Sequence, residues 1–297
     1  MKLQRLSSLD TAELGGAGFD NGSVPLAGGT DVVPLLRDGL LAADTLVDVR
    51  AAVPRGIETY DGASGQGEGS RIGAGTTLAE LERAAPESVP EALREACRLS
   101  ASPQIRGMGS IAGNLLQATR CWYWRLGHDC WLAGGDRCLA RDGRSDEHAV
   151  VGNSHCASAH PSDPAAALLA LGATVRTTRR ELPLPDLYRL PTDDDRSNST
   201  LERGELILEL DVPRPDASTY LKAMDRARYA FPLVGVAAVR RGDDVRIALA
   251  GVAPIPWLLE SPDGRLGGAT PLPGSAFKIE LGEALVRRAR AAVSPGR

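Results

Sequence analysis

The hydrophobic and polar positions of this 297-residue chain fall into three textures. The first is an α/β unit over roughly the first 50 residues. Ser23–Ala27 is a short apolar run of strand length that enters Gly28-Gly29-Thr30-Asp31. Val32 to Leu41 then carries apolar residues at helical spacing behind an Asp/Thr cap, and Thr45–Val49 reads as a second strand. Strand, glycine turn, helix, strand is the βαβ pattern.

The second texture begins at Arg71-Ile72-Gly73-Ala74-Gly75-Thr76-Thr77, after a Gly/Ser-rich surface turn from Gly62 to Ser70. Leu78–Ala85 and Glu91–Leu99 have helical spacing, whereas Ser102 to Asn114 carries too much Gly and Pro for a regular helix or strand. Pro164 to Leu171 reads as a short helix and Ala173–Thr177 as a strand. A Pro- and Asp-rich patch, Pro183 to Ser199, is the expected linker. In the third texture Leu206–Val212, Tyr220–Arg226, Val234–Arg240 and Val245–Val252 are strand-like, with a hairpin turn at Gly242-Asp243-Asp244. Glu280–Ala292 closes the chain as an amphipathic helix with a basic face. The pattern predicts an α+β protein without internal repeats, divided near residues 195–200.

Composition is that of an ordinary globular protein, 43% apolar and 24% charged. A net charge of −4 and a pI near 5.7 give no basic surface for nucleic acid. No apolar run is long enough for a signal peptide or a membrane span. These features predict a cytoplasmic protein, or a periplasmic one if it is exported on a partner's signal. No Ser/His/Asp, H-E-x-x-H or paired-carboxylate arrangement suits hydrolysis.

Two glycine loops carry the first candidate chemistry. Ala27-Gly28-Gly29-Thr30-Asp31 sits between a strand and a helix, where glycines let backbone N–H groups approach an anion. Gly107-Met108-Gly109-Ser110-Ile111-Ala112-Gly113-Asn114 again offers small residues and exposed amides, with Arg106 beside it. Two such loops, about 80 residues apart, can enclose a diphosphate from both sides. Neither fits a Rossmann G-x-G-x-x-G, the second loop opens no clear helix, and there is no P-loop. A pair of tight structural turns is the alternative.

Five cysteines are distributed unevenly: Cys97 stands alone, while Cys121, Cys130, Cys138 and Cys156 fall within 36 residues. Their C-x8-C-x7-C-x17-C spacing can hold a [4Fe–4S] cluster, a zinc ion or two disulfides. No C-x2-4-C knuckle is present to favour zinc, and Trp122, Tyr123, Trp124 and Trp131 would shield a cluster from water. All four histidines, His128, His148, His155 and His160, lie in or beside this segment without an assigned role.

In order along the chain, A-G-G-T-D (Ala27–Asp31), I-G-A-G-T-T (Ile72–Thr77), G-S-I-A-G-N (Gly109–Asn114) and P-S-D (Pro161–Asp163) resemble the FAD-binding subunit of the xanthine dehydrogenase and carbon monoxide dehydrogenase group. Tyr220–Arg228, Phe231–Ala237 and Gly274–Lys278 resemble its second domain, so the resemblance covers essentially the whole chain. It implies a two-subdomain FAD-binding domain of the vanillyl-alcohol-oxidase (PCMH) type over residues 1–195, with subdomains of about 1–52 and 53–195. A small α+β domain with an antiparallel sheet completes the chain over 200–297.

The resemblance also implies an FAD site. Ala27, Gly28, Gly29, Thr30, Asp31, Gly109, Ser110, Ile111, Gly113 and Asn114 would serve the pyrophosphate, and Asp163 the ribityl or adenosine part. Lys222 would lie near the isoalloxazine ring, and Leu26 and Ile105 at the adenine end. The 48 residues between Asn114 and Asp163 are long for the family. As an insertion at 115–160 they are similar to the one that carries a [4Fe–4S] cluster in aldehyde oxidoreductase FAD subunits, which would make the four clustered cysteines its ligands. The stretch from Pro254 to Gly274 is short for the family. The activity implied by the resemblance is that of an oxidoreductase subunit, passing electrons from [2Fe–2S] clusters to FAD and on to an external acceptor. Its partners would be a molybdenum-cofactor large subunit and a [2Fe–2S] small subunit. A self-contained FAD oxidase and a zinc-stabilised binding protein are the rival readings.

Overall fold

The computed structural model describes residues 1–8, 22–61, 67–260 and 264–295; Gly62–Gln66 of the expected Gly/Ser turn, and residues 261–263 of the short Pro254–Gly274 stretch, lie outside them. Strand β1 (Lys2–Arg5), strand β2 (Ser23–Leu26), helix α1 (Val32–Arg37) and strand β3 (Thr45–Asp48) form the first unit. Its sheet is parallel in the order β1-β3-β2, so β2-α1-β3 is the expected βαβ unit. Helix α1 ends four residues before the expected Leu41, because Gly39 turns left-handed at φ +72° and Leu40 and Leu41 bond back to the Leu35 carbonyl. Its expected cap also differs: Asp31 makes no capping hydrogen bond.

The second sheet holds β4 (Ile57–Tyr60), β5 (Gly69–Gly73), β6 (Thr174–Thr177), β7 (Glu181–Pro183) and β8 (Ile207–Pro213). All pairs are antiparallel, in the order β4-β5-β8-β6-β7. The strand expected over Leu206–Val212 therefore does not open the last unit; as β8 it is the middle strand of this sheet. Nor does Pro183 to Ser199 behave as a free linker. Trp131 Nε1 donates to Asp193 at 2.9 Å, and Arg196 donates to the carbonyls of Trp131 and Gly135, so the patch is fastened to the cysteine segment.

Helices α2 (Leu78–Arg83) and α3 (Glu91–Leu99) match their spacing. Ser102 to Asn114, expected to be irregular, contains two short helices, α4 (Pro103–Met108) and α5 (Ile111–Leu115). Ser102 and Ser110 cap them by accepting from the N–H groups of Ile105 and Gly113, and Pro103 suits a first turn, which offsets the glycines. Helix α6 (Trp122–Arg125) lies in the cysteine segment, and α7 (Asp163–Leu171) comes after it, buried along its whole length.

The last sheet runs β12-β11-β10-β9, antiparallel, from β9 (Ala217–Ala223), β10 (Val234–Arg241), β11 (Asp244–Ala250) and β12 (Trp257–Leu258). Side chains alternate along β10: Ala237 and Val239 join the core around α3 and α7, while Val234, Val236 and Ala238 face the C-terminal helix α8 (Phe277–Val293). The helix α7 thus fills the space between two sheets, and its all-apolar sequence reports that burial.

Candidate functional site: a cleft between two glycine loops and a cysteine-lined hollow

The two glycine loops meet backbone to backbone. A Cβ on Gly28 would stand 1.8 Å from the Met108 carbonyl oxygen, so only glycine permits the approach. The second loop hangs on the Ile72–Thr77 segment, with Leu78 N donating to Gly109 O and Ile111 N to Thr76 O. Between the loops lies a cleft of two adjoining compartments. The first, about 280 Å³, is lined by Ala27, Gly28, Gly29, Thr30, Asp31, Ser110 and Gly113 among others. A second, of about 190 Å³, shares Thr30, Asp31 and Gly113 with the first and is walled by Ile105, Gly109, Asn114 and Asp163 with Ser100 and Phe231.

Three expected residues stand behind these walls. Ile111 is wholly buried in the core, and Leu26 packs toward Gly29. The Lys222 ammonium, on a fully buried side chain, donates to Asp163 Oδ2 at 2.8 Å and to the Leu99 and Ala230 carbonyls. Ile105 shares the Asp163 compartment rather than the Val24–Pro25 end, so Leu26 and Ile105 do not mark one end of the cleft.

Asp163 is 2% exposed and takes three donors: Lys222, the Ser100 hydroxyl at 3.1 Å and the Tyr220 hydroxyl at 2.5 Å. Burial and then the Asp163 charge push the Tyr220 phenol well above its ordinary range, which keeps it a donor. Asn114 Oδ1 accepts from Ser162 Oγ at 2.6 Å and ties the second loop to the start of α7.

Asp31 does not point its charge into empty cleft. Its carboxylate accepts from Ala118 N at 2.8 Å, Arg120 at 2.6 Å and Arg125 at 3.0 Å. Burial alone would raise its pKa, but Arg120, the Ala118 amide and Arg125 together hold it below the usual carboxylate range. The first glycine loop is thereby clasped to the beginning of the cysteine segment.

In that segment Cys121, Cys130, Cys138 and Cys156 line one small hollow, walled by Tyr123, Trp124, Leu132, Leu139 and Ala140. None is in a disulfide. Amide N–H groups address the sulfurs: Trp124 and Tyr123 at Cys121, Ala157 and Ala140 at Cys138, and Ser158 at Cys156. The Cys156 thiol beside it, helped by the Ala157 and Ala140 amides, pushes the Cys138 thiol down from its ordinary range, while Cys156 itself donates to Ser158 Oγ at 3.3 Å. Burial raises Cys121 to about 11. His148, 2% exposed, places Nε2 3.2 Å from Cys121 Sγ. Among the described residues no group of three or more His, Cys, Asp or Glu side chains is arranged to hold a metal ion; the four thiols surround the hollow instead. A further cavity of about 110 Å³ touches both sites, sharing Arg120, Pro161 and Phe231 with the cleft and Cys121 with the hollow.

A family model described as the FAD binding domain in molybdopterin dehydrogenase matches residues 5–215. The chain belongs to this family. It is 38% identical over 255 residues to the aldehyde oxidoreductase FAD-binding subunit PaoB of Escherichia coli K12, covering 81% of this chain and 78% of that one. Its fold is similar to a chain of the reconstituted CO dehydrogenase from Oligotropha carboxidovorans, with a TM-score of 0.71 at 20% identity over 99% and 97% of the two chains. A chain of quinoline 2-oxidoreductase from Pseudomonas putida 86 gives 0.70 at 18% identity over 99% and 96%.

FAD is accordingly the cofactor of this molybdopterin-dehydrogenase flavoprotein. The cleft suits it: two adjoining compartments walled by small residues and by the capped second loop leave room for the two halves of a dinucleotide. The sequence did not single out Arg120, Arg125, Ser100, Tyr220, Phe231 or His148. Tyr220 could have been found, because it stands two residues before Lys222 on a strand and so shares its face. The arginines had no such signal, since their partner Asp31 lies about 90 residues away in sequence. Among the described residues no helix is long and apolar enough to cross a membrane.

Proposed function

We propose that this chain is the FAD-binding electron-transfer subunit of a heteromeric molybdenum hydroxylase of the aldehyde oxidoreductase and xanthine dehydrogenase type, carrying a [4Fe–4S] cluster on Cys121, Cys130, Cys138 and Cys156. The observation that carries the reading is the convergence of four thiols, from separate turns of one 36-residue segment, on one hollow that adjoins the glycine-loop cleft at Arg120–Cys121. Amides directed at the sulfurs and aromatic walls are what a cluster site requires, because hydrogen bonds and burial set its potential. Thiols deprotonate on coordination, so binding of a cluster would release protons from these cysteines.

In this reading the backbone amides of the Ala27–Asp31 and Gly109–Asn114 loops hold the FAD diphosphate. Asp163 faces the second compartment, its charge and orientation fixed by Lys222, Tyr220 and Ser100. FAD supplies the chemistry, taking electrons one at a time and storing two. No side chain of this chain acts as acid or base; the residues fix distance, burial and access. The FAD-binding part extends through β8, and a molybdenum-cofactor large subunit and a [2Fe–2S] small subunit complete the complex.

Metal and flavin analysis of the anaerobically purified complex tests the proposal. The expected result is FAD together with about four iron atoms per copy of this chain in excess of those in the small subunit's [2Fe–2S] clusters. Stoichiometric zinc, with no iron beyond that of the small subunit's [2Fe–2S] clusters, would refute the cluster, and absence of FAD would refute the flavoprotein reading. The isolated chain, given an aldehyde and an electron acceptor, is expected to show no turnover.

A further inference from the structure

We infer that His148 donates a hydrogen bond from Nε2 to the sulfur of Cys121 and that this bond raises the reduction potential of the iron–sulfur cluster. The inference rests on the proposed cluster. His148 is 2% exposed, and its Nε2 lies 3.2 Å from Cys121 Sγ. The other ring nitrogen, Nδ1, is buried without a hydrogen-bond partner.

That asymmetry assigns the proton. A neutral imidazole has one N–H donor and one acceptor. With the proton on Nδ1, a buried donor would be left unsatisfied and the Nε2 lone pair would face a negatively charged sulfur. With the proton on Nε2, the donor meets the sulfur and only an acceptor is left unpaired, the more tolerated of the two. The ring is also locked in place. Trp122 packs against it edge-on, with centroids 4.9 Å apart at 80°, and Tyr123 lies 5.9 Å away. The His148 amide donates to the Ser145 carbonyl.

Reduction adds negative charge to the cluster and its sulfurs. A donor fixed on one sulfur therefore favours the reduced form, which raises the potential. Cys121 comes directly after Arg120, which lines the second compartment of the cleft. The histidine is a positioning and tuning residue, not a ligand.

The test compares wild-type, His148→Phe and His148→Gln complexes by EPR-monitored redox titration, with iron content measured on each. Phe keeps a flat ring and removes the donor. It is expected to shift the cluster's one-electron equilibrium about tenfold toward the oxidised form, a fall of about 59 mV. Gln keeps an N–H of similar reach and is expected to recover most of that shift, while the FAD potential stays unchanged. Equal potentials in wild type and the Phe variant, with iron intact, would overturn the inference alone. If the Phe variant loses its iron, the wild type labelled with ¹⁵N-histidine decides by pulsed EPR: a weak histidine nitrogen coupling and an exchangeable proton support the bond, and their absence overturns it. A wild-type complex whose iron is accounted for by its [2Fe–2S] clusters alone overturns the cluster and this inference together.

Discussion

The cleft takes its walls from segments far apart in the chain, around residues 24–31, 100–117 and 163, whereas the hollow is made by four cysteines within a 36-residue run. Backbone amides and small residues shape the cleft, and its form depends on one close contact, Gly28 against Met108. Side-chain sulfur shapes the hollow, with amides from its own loops turned toward it. A site of the first kind survives side-chain changes but fails when two loops cannot meet. A site of the second kind fails when one side chain is removed and tolerates distant backbone change. Asp31 is the joint between them, since it belongs to the cleft by position and to the cysteine segment by its partners.

The largest effect should separate the two. Cys138→Ala is expected to remove the roughly four iron atoms held by this chain while flavin is retained, read by iron assay and flavin absorbance on the same sample. Loss of both would mean that the hollow supports the cleft more than the comparison allows. Lys222→Met removes the cation paired with a carboxylate that is 2% exposed, and leaves that charge buried. Denaturant unfolding should show a loss of about 3–5 kcal/mol, and a Lys222→Met/Asp163→Asn double variant should recover part of it.

On the side of the hollow, the Lys278 ammonium is wholly buried, donating to the carbonyls of Glu147 and Gly251. Burial pulls its pKa down to about 7. The unfolded chain holds this proton up to about pH 10.4, so between pH 7 and that value it binds more protons than the folded chain. Stability should therefore rise by a few kcal/mol as pH increases across that window, and Lys278→Met should flatten the rise in a series of denaturant titrations. Gly28→Ala is expected to cost about 1–3 kcal/mol by overpacking and to weaken FAD retention at least tenfold, with iron unchanged. The smallest change, Asp31→Asn, should lower stability by about 1 kcal/mol and reduce flavin and iron occupancy together. If only one cofactor responds, Asp31 does not join the two sites.

Local pattern made much of this protein legible. The βαβ unit, the helices α3 and α7, the β10–β11 hairpin and the C-terminal helix arise from periodicity and turn residues close to where they occur. The helices at Pro103–Met108 and Ile111–Leu115 were obscured because glycine content was weighed above the Ser102 and Ser110 caps. The position of β8 had no local signal, since a strand carries no mark of which sheet it joins and its partners β5 and β6 lie over 30 residues earlier.

By itself, the sequence determined the family, through four short motifs in a fixed order, and the chemistry available, through glycine loops and clustered sulfur. Those are properties of residue type and spacing, which survive without coordinates. Only the tertiary structure decided which groups meet: Asp31 with Arg120 and Arg125, Asp163 with Lys222 and Tyr220, and four cysteines around one hollow beside the glycine-loop cleft. Such meetings depend on packing between segments tens of residues apart, where burial and charge pairing select one arrangement from many that the same local pattern permits. For that reason His148, unassigned among four histidines in the sequence, becomes a specific donor to Cys121 once the fold brings the two within 3.2 Å.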